Sequence, residues 1–159
     1  MLKNKIKSLN ALQKIVSQLK SKGKKIVFTN GCFDILHYGH AKYLEDCKKS
    51  ADILIVGINS DASVRRIKGD KRPVVNEVDR ISLIAALASV DYALLFKEDT
   101  PIKVIKSLKP DVLIKGADWK KGNIVGEDFI LKAGGKVKRI KLIKGRSTTN
   151  LINKIAKTF

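Results

Sequence analysis

Short apolar runs alternate with helix-periodic segments along the whole chain, and that alternation admits few architectures. The run ILIVGI (residues 53–58) is apolar at consecutive positions. A strand with that pattern has neither face in water, as in a parallel sheet covered by helices on both sides. KIVFTNG, DYALLF, DVLIKG and KVKRIKLI are the other strand candidates. Between them lie segments with apolar residues at helical spacing. The first carries Leu9, Leu12, Ile15, Val16 and Leu19, with Ser8 as a cap and Gly23 as a stop. HAKYLEDCKKSA, VDRISLIAALASV, GEDFILKAGG and STTNLINKIAKTF follow. In the segment that runs through IKVIKSL, Thr100 is placed to cap and Pro101 to take the first helical position. Residues 60–73 read as a polar, basic connection. The alternation predicts an open, doubly wound α/β domain with a parallel sheet in three α/β/α layers. Residues 1–23 are expected to form an amphipathic helix of the same unit, and 24–159 the α/β domain itself.

In such sheets, ligands sit beyond the carboxyl ends of the strands. The chain places its unusual residues there: TNGCFDILHYGH after the first strand, NSD after the second, KGADW after a later one and GRSTTN after the last. His37 and His40 are the only two histidines. They lie one helical turn apart, with Gly39 between them and the Gly31 turn before them. Glycine lets a ligand come close to the backbone, and the first amides of a helix suit phosphate. Two imidazoles there suit hydrogen bonds to phosphate oxygens as charge builds in a transition state. They also suit a metal, although no third ligand stands nearby in the sequence.

Composition narrows the setting. The chain has 159 residues, 44% of them apolar, which is enough for one hydrophobic core and is not the composition of a disordered chain. No run approaches the length of a membrane span, and the N-terminus has no apolar segment of the secretory type. Two cysteines, Cys32 and Cys47, are too few for a disulfide framework, so a reducing cytoplasm is expected. The formal charge of +18 draws polyanions, but much of it reads as solvated surface lysine.

HxGH after a strand and a glycine turn resembles the signature of the nucleotidyltransferase superfamily, whose members have a Rossmann-like fold. The likeness extends to NSDASVRRIKGDKRPV, EVDRISLIAALASVDYALLFKEDTP, DVLIKGADW and GRSTTNLINKI, in that order. Over residues 24–155 the chain is similar to the adenylyltransferase domain of bacterial ADP-heptose synthases. The resemblance implies joining of heptose 1-phosphate to the AMP moiety of ATP, with release of pyrophosphate. It implies His37 and His40 as the catalytic pair, and Asn30, Gly31, Cys32, Phe33 and Gly39 along the nucleotide. Lys115, Gly116 and Asp118 would form a second nucleotide-facing loop, and Ser147, Thr148 and Thr149 would meet the β- and γ-phosphates. It implies Mg2+ bound with the triphosphate, and a homodimer. Many relatives carry this domain behind a sugar kinase; here one helix precedes it, so a kinase is expected as a separate protein.

Further phosphate or substrate contacts are expected from Lys68, Arg72 and Arg80, since a guanidinium grips phosphate oxygens in pairs. Lys42, Asn59 and Asp61 join them, with solvent exposure or turn capping as their plain alternatives. Asp34 is a candidate to help hold magnesium, and Trp119 either lines the loop or closes the core edge. Cys32 reads as a small residue that permits close approach, since the sugar phosphate brings its own ionised nucleophile. A sister cytidylyltransferase or FAD synthetase is the nearest alternative. A nucleic-acid-binding module is the other, but aromatic residues make up only 6% of the chain. Neither nucleic acid nor membrane is the expected partner.

Overall fold

A computed structural model describes residues 2–120 and 122–158. Five strands, β1 (Ile26–Gly31), β2 (Ile53–Asn59), β3 (Tyr92–Phe96), β4 (Val112–Gly116) and β5 (Lys136–Ile140), form one sheet. Every pair is parallel, and the order is β3-β2-β1-β4-β5. The helices are α1 (Leu2–Lys5), α2 (Leu9–Ser21), α3 (Tyr38–Lys48), α4 (Asp61–Lys68), α5 (Glu77–Ala86), α6 (Ile102–Leu108), α7 (Glu127–Lys132) and α8 (Thr148–Thr158). Leu44 and Cys47 of α3 and Ile81 and Ile84 of α5 pack on one face of the sheet, against Val27, Val56 and Ile114. Leu12 and Val16 of α2, Val104 and Ile105 of α6 and Ile130 of α7 cover the other, against Phe28, Ile55 and Leu113. This is the doubly wound, three-layer arrangement that the continuous apolar strands predict. Among the described residues no helix is long and apolar enough to cross a membrane.

The N-terminal edge of the sheet is closed by aspartates that directly precede strands. Asp52, before β2, accepts the Lys25 amide at 2.8 Å. Asp91, before β3, accepts the Leu54 amide at 2.7 Å. Asp111, before β4, accepts the Ile26 amide at 2.9 Å. Each carboxylate thus satisfies a strand-end donor that would otherwise lack a partner. At the C-terminal edge, β1 and β2 pair along Ile26–Gly31, whereas β1 and β4 pair only at Val27–Val112 and Phe28–Leu113. The strand order reverses between β1 and β4, and the two strands part there, leaving a crevice at the switch point.

Three local expectations change. Residues 61–68 of the supposed connection form α4, capped by the Ser60 hydroxyl on the Ser63 amide at 3.3 Å. Pro101, not Thr100, stands at the cap of α6, with no side-chain capping bond. The last strand ends at Ile140, and residues 141–143 leave the sheet to run beside the crevice.

Candidate active site

A cavity of about 350 Å³ opens at the crevice. Its floor is the end of β1, from Asn30 to Phe33; its sides are the start of α3, the end of β4 and the loop that leads into α8. Phe33 holds the turn with φ +45, a left-handed backbone that non-glycine residues seldom take. Its buried ring meets His40 edge-on, with centroids 5.2 Å apart. Strain of this kind is concentrated at sites where the surroundings fix the geometry.

His37 is the N-cap residue of α3, with extended backbone (φ −143, ψ 170) and no capping hydrogen bond from its side chain. Serine, aspartate or asparagine would cap far better. The imidazole is turned to the cavity instead, stacked on His40 with centroids 3.8 Å apart and ring planes 22° from parallel. Gly39 makes the stack possible: a Cβ there would lie 2.9 Å from His37 Cε1 and 3.0 Å from Arg146 Cβ. Both ring nitrogens of His37, Nδ1 of His40 and Oδ1 of Asn30 are buried without a hydrogen-bond partner in the protein. Buried polar atoms left in this state take their partner from outside the chain, from water or a ligand.

Burial, and then the neighbouring Arg146 charge, lower the pKa of His37. Burial, and then His37, bring His40 down to about 4, against the opposing pull of Asp34. Both imidazoles are therefore neutral at pH 7. The sign of the linkage follows: the unfolded chain takes up the His40 proton near the usual 6.5 and the folded chain near 4. Between these values the unfolded state binds more protons, so stability rises with pH. The contribution is complete above about 6.5 and is lost as pH falls toward 4. Melting temperatures at pH 7 and pH 4.5 should therefore differ less for His40→Gln than for the parent. An identical difference in both would assign the acid sensitivity to other groups.

Across the crevice, Lys115 is buried, donates to the Asn30 carbonyl at 3.2 Å and lies 5.4 Å from the centroid of the Trp119 ring. Burial brings its pKa down to about 8, against Cys32 and Asp118. Ser147 accepts the Asn150 amide at 3.1 Å and so caps α8, which leaves its first turn at the cavity with Thr148 and Thr149. Cys32 faces the same space; burial raises its thiol pKa, against Lys68, Arg80 and Arg72. The cavity thus brings together Asn30, Gly31, Cys32, Phe33, His37, Gly39 and His40 from one side. Lys115, Gly116, Asp118, Ser147, Thr148 and Thr149 stand on the other, with Lys68 and Arg72 at the mouth. Tyr43, Leu142 and Ile143 also line it and had no sequence assignment. Tyr43 is one turn beyond His40 on the same helix face, which is the signal that would have found it.

Four expected contacts stand elsewhere. Arg80 is fully buried, and four of its five N–H donors are engaged within the protein. Nε donates to the Val75 carbonyl at 2.9 Å, Nη1 to the Cys32 carbonyl at 2.5 Å, and Nη2 to the Asn59 carbonyl at 2.8 Å and Asp61 at 2.7 Å. It holds the turn rather than a phosphate. Asp61 is correspondingly its counter-ion, and buried Asn59 donates to Ser63 Oγ at 3.0 Å. Lys42 is held on the helix surface by Asp46 at 2.8 Å and Glu45 at 3.0 Å, and these bonds raise its pKa. Asp34 is also committed. Its oxygens accept Arg72 Nε at 2.6 Å and the amides of Val74 and Val75 at 2.8 and 2.9 Å. Burial works to raise its pKa, but the Val75 and Val74 amides and Arg72 outweigh it, so the carboxyl stays ionised. Three of the roughly four acceptor sites of the Asp34 carboxylate are thus taken, and among the described residues no three acidic, histidine or cysteine side chains form a metal-ligating group.

A family model described as cytidylyltransferase-like matches residues 28–150. The chain is 51% identical over 155 residues to the bifunctional protein HldE of Geobacter metallireducens, covering 98% of this chain and 32% of the relative. It is 52% identical over 147 residues to that of Helicobacter pylori strain Shi470, covering 92% and 31%. The chain spans about a third of the length of the curated relatives it matches. Among solved structures, a lipopolysaccharide core biosynthesis protein from Thermoplasma volcanium superposes with TM-score 0.63 at 37% identity, over 77% of this chain and 98% of that one. Pantoate-beta-alanine ligase from Francisella tularensis shares the fold, with TM-score 0.58 at 16% identity over 96% and 78%.

Proposed function

The chain belongs to the cytidylyltransferase-like family, and from that premise we propose that it is an adenylyltransferase that joins heptose 1-phosphate to ATP, giving ADP-heptose and pyrophosphate. The observation that carries the reading is the pair of stacked imidazoles whose buried nitrogens have no partner in the protein. An oxygen of the sugar phosphate attacks the α-phosphorus of ATP, the bond from that phosphorus to the β-phosphate bridge breaks, and pyrophosphate leaves with the electron pair. The nucleophile is ionised at neutral pH, so no side chain has to remove a proton. What remains is positioning and charge stabilisation.

His37 and His40 donate hydrogen bonds to the α-phosphate as its charge builds, from a site that burial has already desolvated. The first turn of α8, with Ser147, Thr148 and Thr149, receives the β- and γ-phosphates at a helix N-terminus. Lys68 and Arg72 at the mouth face the incoming sugar phosphate. Asn30, Gly31, Cys32, Phe33 and Gly39 follow the nucleotide, and Lys115, Gly116 and Asp118 hold its far end beside Trp119. Magnesium bound with the triphosphate would neutralise part of its charge, and it would depend chiefly on the phosphate oxygens, since Asp34 is engaged by Arg72. A homodimer and a cytoplasmic setting belong to the same proposal.

The test is pyrophosphate release with magnesium, comparing ATP and CTP against heptose 1-phosphate, glycerol 3-phosphate and FMN. Release with ATP and heptose 1-phosphate alone, lost in His37→Ala, is the expected result. Turnover with another pair would move the chain to a sister activity.

A further inference from the structure

A second cavity, of about 530 Å³, lies at the opposite edge of the sheet, around the starts of β4 and β5. Five lysines line it: Lys20 at the end of α2, Lys25 before β1, Lys109 at the end of α6, and Lys136 and Lys138 of β5. Asp111 is the one acidic residue in its lining. That carboxylate is already engaged by the Ile26 amide at 2.9 Å, by Lys25 at 3.3 Å and by Lys20 at 3.6 Å. Lys109 and Lys136 have no side-chain partner among the described residues, and Lys138 has only Ser50 Oγ at 3.4 Å. The starts of β2, β3 and β4 each follow an aspartate, whereas β5 follows Gly134 and Gly135 and opens on Lys136 itself. The acidic closure of this edge therefore stops where the lysines gather.

Lys109 adds an independent observation. It ends α6 with φ +47 and ψ 58, the left-handed conformation that favours glycine or asparagine. The turn accepts Lys20 Nζ through the Lys109 carbonyl, which any residue would supply. Nothing in the turn's backbone calls for an ammonium side chain, so a charged residue occupies a strained position that glycine would fill more easily. Strained residues of this kind cluster at ligand clamps and other functional positions.

We propose that this cavity binds a compact polyanion carrying several phosphate groups, held by Lys109, Lys136 and Lys138. Its volume falls in the range of small-molecule sites. Among the described residues its lining holds no aromatic side chain and no arginine, so these supply no stacking platform for bases and no planar fork. Lysine ammoniums recognise phosphate as point charges. A nucleic-acid strand fits these features less well than a free phosphate chain. The site lies away from the histidines and does not depend on the proposed reaction.

The test uses the full 15N-labelled chain titrated with tripolyphosphate at constant ionic strength. Gly134 and Gly135 amides report this cavity, and Gly39 and Gly116 report the other. The expected result is a saturable shift of Gly134 and Gly135, weakened at least tenfold in Lys136→Glu/Lys138→Glu and unchanged in the surface control Lys14→Glu/Lys97→Glu. Lys109→Gly should weaken binding about threefold or more while raising Tm. The proposal is overturned if the Gly134 and Gly135 shifts do not saturate, if sodium sulfate at equal ionic strength reproduces them, or if the double variant binds as the parent does. It is overturned as well if single-stranded DNA binds more tightly with increasing length, or if Lys109→Gly lowers Tm and leaves affinity intact.

Discussion

Alanine in place of His40 should lower the rate of pyrophosphate release by about 100- to 1000-fold, the scale seen when one preorganised donor to a developing charge is removed. The buried Nδ1 of this ring has no hydrogen-bond partner in the protein, so its loss strands no other group. The melting temperature at pH 7.5 should fall only by what is lost in ring packing against His37 and Phe33. The decisive comparison is between rate and affinity. A residue that acts on the transition state lowers kcat and kcat/KM together. If His40→Ala instead raises the Kd for ATP while kcat holds, the ring serves ground-state binding and the charge-stabilising role must pass to His37.

Arg80→Met is expected to have the largest effect on stability, about 3–5 kcal/mol, the cost of removing one member of a buried ionic cluster. The loss follows from what the guanidinium leaves behind: the carbonyls of Cys32, Asn59 and Val75, and the carboxylate of Asp61. For a chain of this size a thermal melt should show a fall of about 6–20 °C. Arg80→Lys should recover less than half of it, because one ammonium cannot reach acceptors on three separate segments. A melt within 2 °C of the parent, on the scale of an ordinary surface change, would mean that the carbonyls find water instead.

The two residues also mark how far sequence reading reaches. A histidine pair one turn apart beside a glycine turn is local information, to which the structure adds the stacking of the rings and the burial of their unpartnered nitrogens. The strands are legible for the same reason, since ILIVGI has to be covered on both faces wherever it lies. Arg80 is the opposite case. Nothing in VDRISLI tells a buried clamp from a phosphate ligand, because its partners lie 5 to 48 residues away. Asp34 and Arg72, 38 residues apart, are illegible in the same way. Lys42 could have been read: acidic residues three and four positions on, in a helix, were visible as its partners. Helix α4 hides behind its composition. Its eight residues include only Val64 and Ile67 as large apolar side chains, too few to show a period. Its local signals lie at its ends: the Ser60 cap, Asp61 in the first turn, Arg65, Arg66 and Lys68 in the last, and the Gly69 stop.

The last helix carries a consequence for the order in which the site comes apart. No described side chain of α8 is buried, yet its first turn forms one wall of the cavity whose floor is β1. Detaching it exposes little apolar surface, so its opening free energy lies far below that of the sheet. Amide exchange should be early along α8 and late along β1, as in two separate cooperative units. Under the proposed function a triphosphate bridging them would act as a fastener, with part of its binding energy going into docking the helix. Occupancy of the cavity and protection of the C-terminal residues are then one equilibrium observed at two places.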